Sequence, residues 1–132
     1  MVITYKVNTK PEPHQLAELF LSSGIRRPAD DLNRLKKMID NADILITAWD
    51  GDKLVGAARA LTDYSFCCYL SDLAVEKNYQ HEGIGHDLIN RLQSIIGDEC
   101  NLVLLSPPES MEYYPKLGFE KSGGAFVVSR KR

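Results

Sequence analysis

Two glycines at the start of a helical pattern are the residues whose spacing points most clearly to chemistry. The chain reads Gln80-x-x-Gly83-x-Gly85, after which apolar residues recur at helical spacing up to Gly97. The first turn of a helix has backbone N–H groups without partners and the positive end of the helix dipole. Glycines let a bulky anion approach because they lack a Cβ atom. The pattern therefore predicts a pyrophosphate-binding loop, although a plain strand-to-helix turn would use the same residues.

Two common nucleotide-binding motifs do not fit this loop. The fingerprint Gly-x-Gly-x-x-Gly needs a glycine or an alanine at position 88, where the chain has Leu88. A P-loop needs Gly-Lys followed by Ser or Thr, a tripeptide that the sequence does not contain. The remaining motif that fits is (Gln/Arg)-x-x-Gly-x-(Gly/Ala), which follows a strand and precedes a helix.

A second block follows about 30 residues later and reads Tyr113-Tyr114-Pro115-Lys116-Leu117-Gly118-Phe119. Together with residues 70–85, it resembles the GNAT superfamily of acyl-CoA-dependent N-acetyltransferases, in particular its small bacterial members. The family's C-terminal signature is Phe-Tyr-x-Lys-x-Gly-Phe. The resemblance implies an α+β fold whose central mixed sheet is splayed between the fourth and fifth strands, where acyl-CoA would bind. It also implies acetyl transfer from acetyl-CoA to a primary amine by direct attack.

The resemblance assigns the donor to two stretches of backbone. The pyrophosphate would be bound by the loop made of Gln80, His81, Glu82, Gly83, Ile84, Gly85 and His86, with the Glu82 side chain pointing outward. The preceding strand is expected to be bulged and to pair with the pantetheine arm through Leu73, Ala74 and Val75, one N–H facing the thioester oxygen. Three ordinary core residues would also explain that stretch.

Tyr114 takes the position of the family's general acid, which protonates the leaving thiolate. The pKa of a phenol is close to that of a thiol, so the two are matched for this transfer; a packing role is the alternative. The glutamate base of some relatives falls on Tyr69 here, so a water chain is expected to take the ammonium proton. Alternation places Asp72 on the opposite face from Tyr69. A structural ion-pair network of Asp72 with Arg59 and Asp63 is expected, and a catalytic role of Asp72 is the alternative.

The acceptor amine cannot be identified from the sequence. The resemblance implies that the acceptor binds at the loop after the first helix and beside the third and fourth strands. The candidate residues are Arg26, Arg27, Arg59, Tyr64 and Phe66. Arg26 and Arg27 would hold a carboxylate or phosphate of the acceptor, or would be solvated loop charges.

The histidines and cysteines indicate no further site. His81 and His86 flank the loop without a third ligand at metal-binding spacing, so no metal is predicted. His14 is predicted to be a surface residue. Cys68 is predicted to be a buried thiol rather than a nucleophile.

Hydrophobic periodicity predicts the order β-α-α-β-β-β-α-β-α-β-β. A hairpin is expected at Asp50-Gly51-Asp52, and the apolar run Asn101–Leu105 is expected to be a buried central strand. A helix is predicted over Glu109–Leu117. The last two strands are predicted at Phe119–Glu120 and Ala125–Ser129.

The totals bound the function class. A chain of 132 residues with 44% hydrophobic and 26% charged residues is typical of one soluble domain, here 1–132. The net charge of −2 offers no basic excess for nucleic acid, and no apolar stretch is long enough to span a membrane. With no signal-peptide pattern and three cysteines, a cytoplasmic location is expected. Analogy with relatives leaves a homodimer open.

Two rival functions remain at this stage. A catalytically idle acyl-CoA-binding sensor or scaffold would explain why the base is missing. A general nucleotide-binding domain would leave the block from Tyr113 to Phe119 unexplained.

Overall fold

The protein, described here over residues 2–132 in a computed structural model, is built on one five-stranded sheet with helices on both faces. The strands lie in chain order; the first four are antiparallel, and the fourth and fifth are parallel. This mixed sheet confirms the predicted α+β class. The elements are β1 (Thr4–Val7), α1 (Pro13–Ser23), α2 (Leu32–Asp40), β2 (Ile44–Asp50), β3 (Lys53–Thr62), β4 (Cys67–Val75), α3 (Ile84–Ile96) and β5 (Asn101–Val103).

Short-range signals set the ends of these elements. The predicted β2–β3 hairpin forms, and Gly51 in its turn has a φ of 59° that favours glycine. Gly24 ends α1 in the left-handed conformation, with a φ of 85°. Asp31 caps α2 by accepting a hydrogen bond from the Arg34 N–H at 3.0 Å.

Each face of the sheet carries its own apolar layer. One layer packs the sheet against α3 and includes Ile46, Val55 and Leu88. The other packs it against α1 and α2 and includes Phe20, which is fully buried. A Cβ atom on Gly56 of β3 would lie 3.0 Å from Ile84 Cγ2. This close approach fixes where α3 begins.

The sheet opens between β4 and β5, as predicted. Their parallel pairing runs from Cys67–Asn101 to Tyr69–Val103 and then stops. The expectation of a buried central strand at Asn101–Leu105 was wrong in part, because β5 is a three-residue edge strand whose Val103 is 49% exposed. The apolar residues beyond it, Leu104 and Leu105, line the opening, and Leu104 also packs against the α3-side layer.

A β-bulge in β4 changes which side chains share a face. Arg59 pairs with Asp72 and the next residue of β3 pairs with Leu70, so Ser71 is the extra residue. Leu70 belongs to the α3-side layer, whereas Ala74 belongs to the other layer. The bulge reverses the alternation, and Asp72 therefore lies on the same face as Tyr69. The predicted opposite placement was wrong because strict alternation cannot anticipate an inserted residue.

The C-terminal part also differs from the prediction. In place of one helix over Glu109–Leu117, the chain forms two 3₁₀ turns, Pro108–Ser110 and Tyr114–Leu117. Pro115 explains this, since proline lacks the N–H that a continuous α-helix would need there and its ring clashes with the preceding turn.

The two last predicted strands, Phe119–Glu120 and Ala125–Ser129, do not form among the described residues. Phe126 and Val128 are 95% and 100% exposed. Strand propensity alone does not order such a segment without an edge to pair with and a face to bury, and β5 offers only three residues.

Candidate active site

A cleft of about 980 Å³ lies where β4 and β5 separate. Its walls come from the C-terminal half of β4, the start of α3, the loop between α1 and α2, and the chain after β5. It brings together most residues that the sequence assigned to the site: Leu73, Ala74, Val75, Gln80, His81, Gly83, Ile84, Gly85, His86, Tyr114, Arg26, Arg27 and Arg59.

The loop before α3 has the backbone that its glycines predict. Gly83 is the N-cap of α3 with a φ of 83°, and no side chain caps the helix there. The first bond of the helix runs from the Asp87 N–H to the Gly83 carbonyl at 3.0 Å, so the N–H groups of residues 84–86 have no helical acceptor. His81, with a φ of 69°, and Glu82 are exposed. Glu82 does not line the cleft, as expected from its charge.

Gln80 has a second contact that the motif does not suggest. Its side-chain amide donates to the Val75 carbonyl at 3.0 Å and to the Ser23 carbonyl at 3.5 Å. The side chain thus connects the end of β4 to the end of α1. On the β5-facing side, residues 71–75 of β4 have no strand partner in the described chain. This unpaired edge is where a backbone donor for a carbonyl oxygen would come from.

Tyr113 was not assigned to the site by sequence reasoning, yet it reaches the start of α3. A Cβ atom on Gly85 would collide with the Tyr113 hydroxyl oxygen. Glycine at position 85 therefore leaves the space that the phenol occupies. The signal was present in the sequence as a small residue at the helix start, but nothing showed that a side chain about 30 residues later would fill the space.

Tyr114 lines the same cleft and is half-buried. Its ring packs edge-on against Tyr113 at 5.3 Å and against Phe119 at 5.7 Å between centroids. Burial raises the pKa of Tyr114, helped by its neighbour Tyr113 and opposed by the positive charge of Arg27. The phenol is therefore protonated at neutral pH.

Arg27 and Arg59 converge on one buried carboxylate. Both donate from Nε to Asp72, whose side chain is 1% exposed. Arg27 Nη2 also donates to the Ser71 carbonyl at 2.6 Å, and Arg59 Nη2 donates to Ser71 Oγ at 2.9 Å. The predicted network thus contains Arg27 in place of Asp63. It fastens the α1–α2 loop to the bulge in β4.

Tyr64 and Phe66 do not line the cleft, contrary to the prediction. They lie in the turn between β3 and β4, at the opposite end of β4 from Val75. Asp63 shapes that turn, and three following backbone N–H groups lower its pKa to about 2. The Tyr64 hydroxyl donates to the Asp43 carbonyl at 3.0 Å. β4 runs from this turn toward the cleft, so both side chains lie at the far end of the strand from the cleft. The sequence alone does not show this arrangement.

The remaining candidates add no chemistry to the cleft. Cys68 is buried, as predicted, and burial raises the pKa of its thiol. Over residues 2–132, no three His, Cys, Asp or Glu side chains are grouped to hold a metal ion. Within the same range, none of the helices has the length and apolar character needed to cross a bilayer.

Comparison with known proteins agrees with this geometry. Residues 16–130 match the model of the Acetyltransferase (GNAT) domain. An uncharacterized N-acetyltransferase, ycf52 of Pyropia yezoensis, is 31% identical over 117 residues, which cover 82% of this chain and 64% of that protein. The histone acetyltransferase TAP1 of Glycine max is 36% identical over 70 residues, covering 52% of this chain and 30% of that protein. The chain therefore spans less than two thirds of the length of these relatives.

A solved structure shows the same fold. A probable acetyltransferase of unknown function from methicillin-resistant Staphylococcus aureus superposes with a TM-score of 0.82 at 21% identity, covering 97% of this chain and all of that one. The family match extends over most of the sequence and includes both blocks from which the site was predicted. The chain belongs to the GNAT family of acetyltransferases.

Proposed function

We propose that this protein transfers the acetyl group of acetyl-CoA to a primary amine by direct attack. The observation that carries the proposal is the convergence on one cleft of a helix start with free N–H groups, an unpaired strand edge and a protonated phenol. Each supplies one of the needs of acyl transfer from a thioester: binding of the donor, polarisation of the carbonyl and protonation of the leaving thiolate.

The residues at the start of α3 fit a pyrophosphate. The N–H groups of residues 84–86 are free of helical acceptors, Gly83 exposes the backbone, and Glu82 is exposed and does not line the cleft. His81 and His86 flank this position as exposed side chains. Gln80 would act by holding the Val75 carbonyl, and so by fixing the end of β4 against the loop.

The strand edge and Tyr114 would complete the reaction. Backbone N–H groups between Ser71 and Val75 would hold the thioester carbonyl, whose oxygen gains negative charge as the amine attacks. When the tetrahedral intermediate collapses, the carbon–sulfur bond breaks and the Tyr114 hydroxyl protonates the sulfur. Water in the open cleft would accept the proton of the attacking amine, since position 69 is a tyrosine and not a carboxylate.

The rival function of an idle acyl-CoA-binding sensor is supported by that same tyrosine at position 69. It differs from the proposal in one measurable property, which is turnover. The acceptor is a separate question: the soybean relative is named a histone acetyltransferase, and a lysine side chain is one form of primary amine.

The test is release of free thiol from acetyl-CoA in the presence of a mixed panel of primary amines, followed by mass spectrometry of the products. The proposal expects acetylated amine and thiol in equal amounts, with no acetylated protein accumulating as an intermediate. Tight binding of acetyl-CoA without turnover of any amine would favour the sensor, and acyl-enzyme accumulation would contradict direct attack.

A further inference from the structure

The lining of the cleft has an excess of positive charge. Five arginines line it, namely Arg26, Arg27, Arg34, Arg59 and Arg130. Two side-chain carboxylates oppose this charge: Asp72, which pairs with Arg27 and Arg59, and Glu109, which lines the cleft in the turn after β5. The excess is three charges, in a chain whose net charge is −2. The positive charge is therefore concentrated in the cleft and is not a property of the surface as a whole.

Two of the five arginines are already committed. Arg27 and Arg59 share the single carboxylate of Asp72, so that cluster keeps one net positive charge. Within residues 2–132, the other three form no ion pair with an aspartate or glutamate side chain. Arg34 is half-buried and donates to a main-chain oxygen of Arg132 at 3.1 Å, a contact that a bound anion would have to replace.

Two of these three arginines, Arg26 and Arg34, lie on different elements from the predicted pyrophosphate site. Arg26 is in the loop between α1 and α2, and Arg34 is in the first turn of α2. Both helices pack on the face of the sheet opposite α3, whose N-terminus carries the free N–H groups. One cleft thus has two electropositive regions on different elements, and the donor's pyrophosphate would fill only one of them.

We propose that the acceptor amine carries an anionic group, a carboxylate or a phosphate, which Arg26, Arg34 and Arg130 bind; this inference rests on the acetyltransferase function proposed above. The planar guanidinium donates two parallel hydrogen bonds to either group. A cleft lined by one sign of charge concentrates ligands of the other sign and repels polyamines and basic peptides.

The same positive charges would also help the acceptor amine to lose its proton without a general base from the protein. Nearby positive charge disfavours the ammonium form of an amine and lowers its pKa. An acceptor held by its anionic end beside Arg27 and Arg59 would therefore lose its ammonium proton to water more readily. A carboxylate at position 69 would neutralise this effect, whereas Tyr69 does not.

The first test uses inorganic phosphate and glutarate as probes, titrated into protein saturated with CoA so that the α3 start is blocked. Saturable binding of a probe is expected, about tenfold weaker in Arg34→Gln and in Arg26→Gln. Lys37→Gln removes the same charge from α2 at an exposed position outside the cleft and should bind the probes as the wild type does. A preference between the probes distinguishes a phosphate from a carboxylate acceptor.

No probe binding to the CoA complex, or equal binding by all variants, would overturn the inference. So would a loss of CoA affinity in the arginine variants with probe binding intact, since the arginines would then serve the donor. Failure of CoA itself to bind is a different result and would overturn the proposed function.

The second test compares matched acceptors: O-phosphoethanolamine with ethanolamine, and β-alanine with β-alaninamide. The anionic member of the relevant pair should give the higher kcat/KM, and Arg34→Gln should raise its KM more than it lowers kcat. Faster turnover of ethanolamine, β-alaninamide or spermidine would contradict an anionic acceptor.

Discussion

Tyr114 is the residue on which the proposed chemistry depends most. It lines the cleft, packs between Tyr113 and Phe119, and is kept protonated by burial. The sequence identified it through the block in which it occurs. Its companion Tyr113 was missed, because the contact with Gly85 depends on how the chain folds back after β5.

Tyr114→Phe should lower kcat by about a hundredfold while leaving acetyl-CoA affinity nearly unchanged, since only the proton donor is removed. Tyr64→Phe, in the β3–β4 turn outside the cleft, is the matched control and should retain activity. Steady-state thiol release with calorimetric affinities measures both. Full activity of Tyr114→Phe would refute the acid role.

The pH profile follows from the same residue. Since burial raises the pKa of Tyr114, the loss of activity caused by its ionisation should appear above pH of about 10, the ordinary phenol value. Below that pH the acid form persists, and above the raised pKa it is lost. This fall in activity at high pH should be missing in Tyr114→Phe. The same fall in that variant would assign it to the ionisation of another group.

Asp72 is the residue that fastens the α1–α2 loop to β4. Asp72→Ala would leave Arg27 and Arg59 as like charges without a counter-ion, and we expect a loss of about 3 kcal/mol in the free energy of unfolding. Chemical denaturation measures it. Asp40→Ala, which removes an exposed carboxylate from two lysine pairs, is the control and should have little effect. Equal effects would show that the buried network is not structural.

At the scale of elements, α3 is positioned by its contact with β3. In Gly56→Val, the new side chain would collide with Ile84 and Leu88, because a Cβ atom at position 56 would lie 3.0 and 3.3 Å from their side chains. We expect a loss of about 2 kcal/mol and weaker acetyl-CoA binding, because the start of α3 would move. Gly123→Val, with open space around it, should change neither. Unaltered stability in Gly56→Val would contradict the tight packing.

At the scale of the whole molecule, the sequence predicted the first two thirds of the chain better than the last third. The strands and helices up to α3 have strong periodicity and clear stops, such as Gly24 and the turn at Gly51, so local signals and tertiary structure agree. The glycine loop that begins α3 and the position of Tyr114 in the cleft were also predictable, because their signals lie in short stretches of sequence.

The rest depends on contacts between distant segments. Three examples are the bulge at Ser71, the pairing of Arg27 with Asp72, and the cleft that Leu104 and Leu105 line. None has a local signature. The predicted strand at Ala125–Ser129 had strand propensity but found no edge to pair with.

The exposed C-terminal segment gives a direct test of the whole arrangement. Phe126→Ser should change the free energy of unfolding by less than about 0.5 kcal/mol, since the side chain is 95% exposed. Phe20→Ala, in the layer under α1, should cost about 4 kcal/mol. A loss above about 1 kcal/mol in Phe126→Ser would show that the segment packs or pairs in solution.

The most direct test of the central claim is calorimetric titration of the protein with acetyl-CoA, with ATP as the competing nucleotide. We expect acetyl-CoA to bind at micromolar strength and ATP much more weakly. Gly83→Asp should abolish binding, because the new carboxylate would occupy the site at the free N–H groups of α3 and repel the pyrophosphate. Gly51→Asp has a comparable positive φ in a remote turn and should bind normally. Equal affinity for ATP, or full affinity in Gly83→Asp, would contradict the assignment of this cleft to acetyl-CoA.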